Sequence, residues 1–82
     1  MNNTNTAQVK FLINKANAEL EAHNYSKSKK TCYQALELDS DNPNIYLILL
    51  LAKYEVTEIE DLKNCNIDYE SETYKNVRRY AA

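Results

Sequence analysis

Few residues of this chain have side chains that could carry out nucleophilic or acid–base chemistry. The 82 residues include a single histidine, His23, and two cysteines, Cys32 and Cys65, which stand far apart. A structural zinc site needs about four ligands, more than these three residues supply. His23 falls at a predicted helix end, where an imidazolium favours the helix dipole. Cys32 falls on a predicted inner face, so neither a Cys–His pair nor a metal site is expected.

The acidic residues do not form a catalytic pair in the sequence either. Glu19 and Glu21, like Glu58 and Glu60, are two positions apart, and side chains at that spacing point to different faces of a helix. The chain also contains no glycine, which phosphate-cradling loops need where the backbone approaches a phosphate. We therefore expect no enzyme activity, no catalytic residues and no cofactor.

The charge balance argues against a dedicated nucleic-acid binder. Ten lysines and arginines stand against twelve aspartates and glutamates, for a net charge of −2. Nucleic-acid binders are usually strongly basic, so the clusters Lys27/Lys29/Lys30 and Arg78/Arg79 are interpreted as solvated helix faces. The longest apolar run, residues 45–52, is far shorter than the roughly 20 residues that span a bilayer. The polar start is not a secretory signal, and the sequence predicts a cytoplasmic protein without membrane contact.

The elements that would position any functional surface are predicted to be helices, because the chain lacks glycine and has one proline. Residues 1–5 are expected to be a disordered lead-in to a single domain, residues 6–82. A first helix is predicted over residues 7–22 with Thr6 as its N-cap. Its apolar stripe at spacings of three and four consists of Val9, Leu12, Ile13, Ala16 and Leu20.

A second helix is predicted over residues 25–38, after Asn24, which ends one helix and caps the next. Its inner face consists of Tyr25, Ser28, Cys32, Ala35 and Leu36. The Asn42-Pro43 pair then predicts the start of a third helix over residues 43–55. This helix is apolar nearly all round from residue 45 to residue 52, so it must be covered on more than one side.

The remainder of the chain predicts two shorter helices. Thr57 followed by Glu60 forms a capping-box pattern, which predicts a fourth helix over residues 58–64 with Ile59 and Leu62 facing inward. Residues 65–68 are interpreted as a connection. A fifth helix over residues 70–81 presents Tyr74, Val77, Tyr80 and Ala81 at helical spacing.

Residues 9–42 form a 34-residue unit that resembles a tetratricopeptide repeat. The family pattern is carried by Asn24-Tyr25, Ser28, Cys32, Ala35-Leu36 and the Asp39 to Asn42 turn, with Ala16 at the small position of the first helix. Cys32 replaces the usual aromatic residue and Ser40 the usual proline. A partial second unit, residues 43–82, has an aromatic residue and a leucine at family positions, Tyr46 and Leu49.

Past Glu55 the repeat pattern fails, because the return helix of the second repeat should carry an Ala-Leu pair and none appears. Residues 49–81 resemble a segment that follows a repeat-like helical pair in proteins of low-GC Gram-positive bacteria. The resemblances together imply an all-α fold that starts a right-handed superhelix: an antiparallel helical hairpin repeat, a further helix, and two short C-terminal helices. They also imply a bacterial protein.

In the repeat family, the first helix of each pair lines a concave groove. The resemblance places in this groove Lys10, Ile13, Asn14, Asn17 and Glu21 from the first helix and Asn44, Leu47, Ile48, Leu51 and Tyr54 from the third. Asn17 matches one position of the carboxylate clamp that binds chaperone tails. Ile13 and Ile48 occupy clamp positions that need Lys and Asn, so no such clamp is expected.

The expected function is a non-catalytic protein–protein interaction module, whose apolar groove binds a protein or peptide segment. The alternative is a structural helical domain that docks on the rest of a longer chain or on a second copy. A further possibility is open for Leu47 and Leu51. The C-terminal helices of the same chain could fold back and bury them, which would make them core residues.

Overall fold

The computed structural model describes residues 3–81, with the side chains of residues 6–79, and in this part of the chain it contains helices and no strands. The four α-helices and one 3-10 helix are α1 (Asn3–Glu21), α2 (Tyr25–Leu38), α3 (Pro43–Lys53), the 3-10 helix (Ile59–Asn64) and α4 (Glu72–Ala81). The predicted all-α class is confirmed.

The bounds of α2 agree with the prediction, but α1 begins earlier than predicted. Because α1 begins at Asn3, Thr6 lies inside the helix, and its prediction as the N-cap is wrong. Residues 3–5 of the expected disordered lead-in are helical, and residues 1–2 lie outside the described part. The stretch contains no glycine or proline to stop a helix, and a capping preference of about 1 kcal/mol does not by itself end one.

Helices α1 and α2 form a pair in which small residues allow close approach. Ala16, Ser28 and Ala35 are each at most 1% exposed. The Ser28 hydroxyl donates a buried hydrogen bond of 2.9 Å to the Ala16 carbonyl. Beside this contact, the Thr31 hydroxyl donates to a Glu19 carboxylate oxygen at 2.6 Å. Two side chains of α2 therefore bind α1 through polar contacts, one buried and one partly buried.

Helix α3 completes the core by packing against both α1 and α2. The predicted stripes are confirmed, since their members are buried in the core or packed against it. At the centre, side chains of all three helices surround a space that admits no water molecule; they are Leu12, Ile13, Ala16, Cys32, Ala35, Ile45 and Ile48. Among the described side chains, every fully buried one lies between Val9 and Ala52.

The C-terminus of α1 is closed by a left-handed residue, as in a Schellman motif. His23 has a positive φ of 64°. Its N–H donates to the Leu20 carbonyl at 3.0 Å, and the Asn24 N–H donates to the Glu19 carbonyl at 2.8 Å. Asn24 also occupies the N-cap position of α2, as predicted, although its side chain makes no capping hydrogen bond.

The C-terminus of α3 repeats this arrangement. Glu55 has a φ of 56° and donates its N–H to the Ala52 carbonyl at 3.2 Å, while the Val56 N–H donates to the Leu51 carbonyl at 3.1 Å. Helix α3 therefore ends at Lys53, two residues before the predicted end. Glycine is the residue favoured at such left-handed positions, and this chain has none.

The N-terminus of α3 confirms the Asn-Pro start signal. The Asn42 side chain accepts a hydrogen bond from the Asn44 N–H at 2.9 Å, and Pro43 occupies the first helical position. The Asn42 amide also donates to an Asp39 carboxylate oxygen at 3.1 Å. The turn between α2 and α3 is thus fixed by its own side chains.

The capping box predicted at Thr57 is wrong. Glu58, rather than Thr57, is the N-cap of the segment, and its side chain makes no capping bond. The segment is a six-residue 3-10 helix, because a length below two α-turns gains too few hydrogen bonds to offset nucleation. Leu62 packs against the core, whereas Ile59 is 56% exposed, so its inward placement is wrong.

Helix α4 packs against α3. It begins at Glu72, two residues later than predicted, and the Ser71 hydroxyl accepts a hydrogen bond from the Tyr74 N–H at 3.2 Å. Tyr74 and Val77 are half-buried. The side chains of Tyr80 and Ala81, also expected on this face, lie outside the described side chains.

Replacing Glu55 by glycine is expected to raise the free energy of unfolding by about 0.5–1 kcal/mol, because glycine adopts a positive φ without a Cβ clash. Glu55 is exposed, so no buried contact is lost. Urea denaturation followed by circular dichroism measures the change. The matched control is Ala18→Gly at an exposed position within α1, which should lower stability by about 0.5–1 kcal/mol. Destabilisation by both changes would contradict strain at Glu55.

Candidate partner-binding surface

Helix α3 has two apolar faces that are used differently. Its inner face, made of Ile45, Ile48, Leu49 and Ala52, belongs to the core shared with α1 and α2. A second set of side chains follows the spacing i, i+3, i+7, which places them along one other side of the helix. We call this set the outer row; it consists of Leu47, Leu50 and Tyr54.

The C-terminal part of the chain contacts α3 and the outer row. Leu50 is only 3% exposed although it lies outside the main core cluster. Since α4 is the remaining helix that packs against α3, we attribute this burial to α4. The Tyr54 hydroxyl accepts a hydrogen bond of 2.7 Å from the Asp68 N–H, which ties the connection before α4 to α3. Leu47 and Tyr54 remain half-buried.

The residues predicted for the groove on α1 are mostly exposed. Lys10, Asn14, Asn17 and Glu21 are all exposed to solvent and recur along one side of the helix, whereas Ile13 is half-buried and packs against the core. Helix α1 contacts α3, so the two helices predicted to form the groove are neighbours. The α1 half of the groove therefore presents polar side chains of both charges.

The residues predicted for the groove on α3 differ in their surroundings. Asn44 is exposed, and Leu47 and Tyr54 lie half-buried in the outer row. Leu51 is 6% exposed and belongs to the main core, as does Ile48. Leu51 is thus a core residue, and the apolar part of the surface reduces to the outer row. Leu50 was absent from the predicted groove, although its spacing from Leu47 and Tyr54 was visible in the sequence.

The two cysteines and the histidine lie in different surroundings. Cys32 is 1% exposed, and burial, with a smaller contribution from the negative charge of Glu19, raises the pKa of its thiol to about 12. Cys65 is half-buried, and its thiol donates to the Asp61 carbonyl at 3.5 Å. His23 is exposed and stacks on the Tyr25 ring with centroids 5.8 Å apart.

Comparisons of the whole chain with protein-family models, with curated proteins and with solved structures gave no match. Within residues 3–81, no three His, Cys, Asp or Glu side chains are grouped so as to hold a metal ion. No helix in that same range combines the length and the apolar character needed to cross a membrane. The apolar part of the candidate surface is the outer row of α3.

The two thiols should differ in reactivity. At about pH 8, iodoacetamide should modify Cys65 and leave Cys32 unmodified in the folded protein, because a buried thiol with a raised pKa stays protonated. Mass spectrometry of tryptic peptides measures this, and labelling in urea, where both react, is the control. Modification of folded Cys32 at the rate of Cys65 would contradict its burial.

The raised pKa of Cys32 also predicts a loss of stability in alkali. The folded protein keeps this thiol protonated up to about pH 12, while the unfolded chain ionises it above about pH 9. Stability should therefore fall as the pH rises from about 9. Urea denaturation at several pH values tests this, and Cys32→Ala should remove that part of the dependence. An equal slope in both proteins would contradict the assignment.

Proposed function

We propose that this protein is a non-catalytic protein–protein interaction module that binds an amphipathic helix of a partner along the outer row of α3. The observation that carries the proposal is the outer row of α3. It is a line of large apolar side chains at i, i+3, i+7 on a helix whose opposite face is fixed in the core. Helix-in-groove recognition uses anchors at this spacing.

The scaffold beneath the outer row is rigid enough for recognition. Ile45 is 0% exposed and Ala52 is 0% exposed, so α3 is fixed at both ends of its inner face. The Asn42 cap and the Schellman motif at Glu55 fix its two termini. Binding surfaces on helices held in this way keep their geometry better than surfaces on loops.

We also propose that the arrangement of α1, α2 and α3 is tetratricopeptide-like, in a bacterial cytoplasmic protein. Mutual packing of these three helices and the buried small residues Ala16, Ser28 and Ala35 support the repeat. The resemblance of residues 49–81 to a segment of proteins from low-GC Gram-positive bacteria supports a bacterial origin.

A second candidate function is a structural role, in which the domain docks on a longer chain or on a second copy. The observation that favours it is the exposure of two aromatic side chains away from the core, Phe11 at 64% and Tyr33 at 57%. Sedimentation velocity over a hundredfold range of concentration tests the version with a second copy. A monomer throughout would contradict self-association.

The interaction module is tested with a displayed library of helical peptides selected on the full chain. Enriched peptides should carry apolar residues at i, i+3, i+7, and Leu47→Glu should weaken their binding at least tenfold, because a charge is then buried at the contact. The matched control is Tyr33→Glu on the outside of α2, which should leave binding unchanged. Circular dichroism verifies that both variants are folded.

Two results would contradict the proposal. The first is a library that yields no binding peptide from repeated selections. The second is a set of peptides that bind Leu47→Glu as tightly as the unsubstituted chain. Leu51 is unsuitable for this test, since its burial in the core means that a charge there would unfold the domain.

A further inference from the structure

The C-terminal part of the chain is held less firmly than the rest. From Lys53 to Arg79, no side chain is fully buried, whereas the preceding helices contain all the fully buried side chains described. A segment with few buried apolar contacts unfolds locally at a lower free energy than the core does. The outer row of α3 is thus covered by the part of the structure that opens most easily.

Helix α4 depends on its contact with α3 to remain helical. It has ten residues, fewer than the roughly 12–15 at which isolated helices become even marginally stable in water. Charges at both ends of α4 interact favourably with its helix dipole: Glu72 lies in the first turn, and Arg78 and Arg79 lie in the last. The Lys75–Glu70 ion pair at 3.4 Å is largely exposed and contributes little. Detachment from α3 should therefore be accompanied by unfolding of α4.

Since α4 packs against α3, we infer that its half-buried apolar side chains face the outer row. Tyr74 and Val77, at i and i+3, are the half-buried large apolar residues of its described part. The Tyr69 ring lies edge-on to Tyr74 with centroids 4.9 Å apart. The charged residues Lys75, Arg78 and Arg79 are exposed. An external helix that replaces α4 needs an aromatic and a branched apolar residue at this spacing and a charged opposite face.

We propose that residues 65–81 form a latch that occupies the outer row, and that a partner's amphipathic helix binds by displacing α4. This inference rests on the proposed function, since it assigns the outer row to a partner, and it adds that the site is closed in the free protein. The hydrogen bond from Asp68 N–H to the Tyr54 hydroxyl is the tether that favours the closed state. The apparent affinity for a partner is then reduced by the fraction of molecules that are open.

The first test needs no partner. Native-state hydrogen exchange on the full chain should show the amides of residues 75–79 exchanging at least tenfold faster than the most protected amides of α1 and α3, through opening of α4 alone. Tyr54→Phe removes the hydroxyl that accepts the tether hydrogen bond. It should accelerate the exchange of α4 about a further fivefold, which corresponds to the stability that one ordinary hydrogen bond contributes. Equal protection of α4 and α3 would overturn the latch.

The second test measures competition with a synthetic peptide of residues 69–82 as the probe. The peptide lacks Asp68, so the Tyr54 hydroxyl has no partner in it. Fluorescence anisotropy with the full chain should show binding about fivefold tighter to Tyr54→Phe than to the unsubstituted protein. Asp68→Pro removes the N–H that donates to Tyr54, so it should also tighten binding of the peptide. The matched control is Asn66→Pro. A proline requires an extended residue before it, and Cys65 is already extended with a ψ of 149°. This control should leave the affinity for the peptide unchanged.

The outcomes separate the latch from the function on which it rests. If library-selected peptides bind in a Leu47-dependent way but leave the exchange of α4 unchanged, the latch is wrong, and the interaction module stands on the half-buried part of the outer row, Leu47 and Tyr54. If no helical peptide binds, both fail. If the selected peptides accelerate α4 exchange while α1 and α3 stay protected, displacement is established. Equal binding of the 69–82 peptide to Tyr54→Phe and to Asn66→Pro would exclude the tether.

Discussion

The structure depends on one constraint: α3 is apolar on nearly every side and must be covered from more than one direction. Its inner face is buried by α1 and α2, which also bury each other through small residues at their contact. Its outer row lies on the side of α3 against which, among the described helices, we place α4. The chain thus combines a firmly packed three-helix core with a second, shallower contact on the opposite side of α3. The proposed function follows from the difference in burial between these two sides of α3.

The absence of glycine sets the second constraint. Two helices must end and reverse direction within a few residues, and both do so by holding a non-glycine residue at positive φ, His23 and Glu55. Each such residue costs roughly 1–2 kcal/mol. The hydrogen bonds of the Schellman motifs, and the packing of Val56 against the core, offset this cost. These motifs set the residue at which α3 ends, and they thereby fix the position of the outer row.

Sequence reasoning was most successful where periodicity and strong turn signals agreed. The bounds of α2, the Asn42-Pro43 start and the buried stripe of α1 were all predictable, because each is determined by local chemistry. The start of α1 and the capping box at Thr57 were wrong, since single capping preferences are weak beside helix continuity and nucleation. Whether Leu51 belongs to groove or core depends on how α1 and α2 pack on α3, and how far Leu47 is covered depends on where α4 packs. These are long-range contacts, and periodicity does not reveal them.

The central claim, that the outer row is a docking surface occupied by α4, is tested most directly by methyl NMR of the full chain. In the free protein, the Leu50 methyl groups should show nuclear Overhauser contacts to Tyr74 or Val77. After addition of a library-selected helical peptide, these contacts should disappear and be replaced by contacts to the peptide, while those among Ile45, Ile48 and their core neighbours persist. Contacts from Leu50 to α4 that survive saturation with bound peptide would contradict the account.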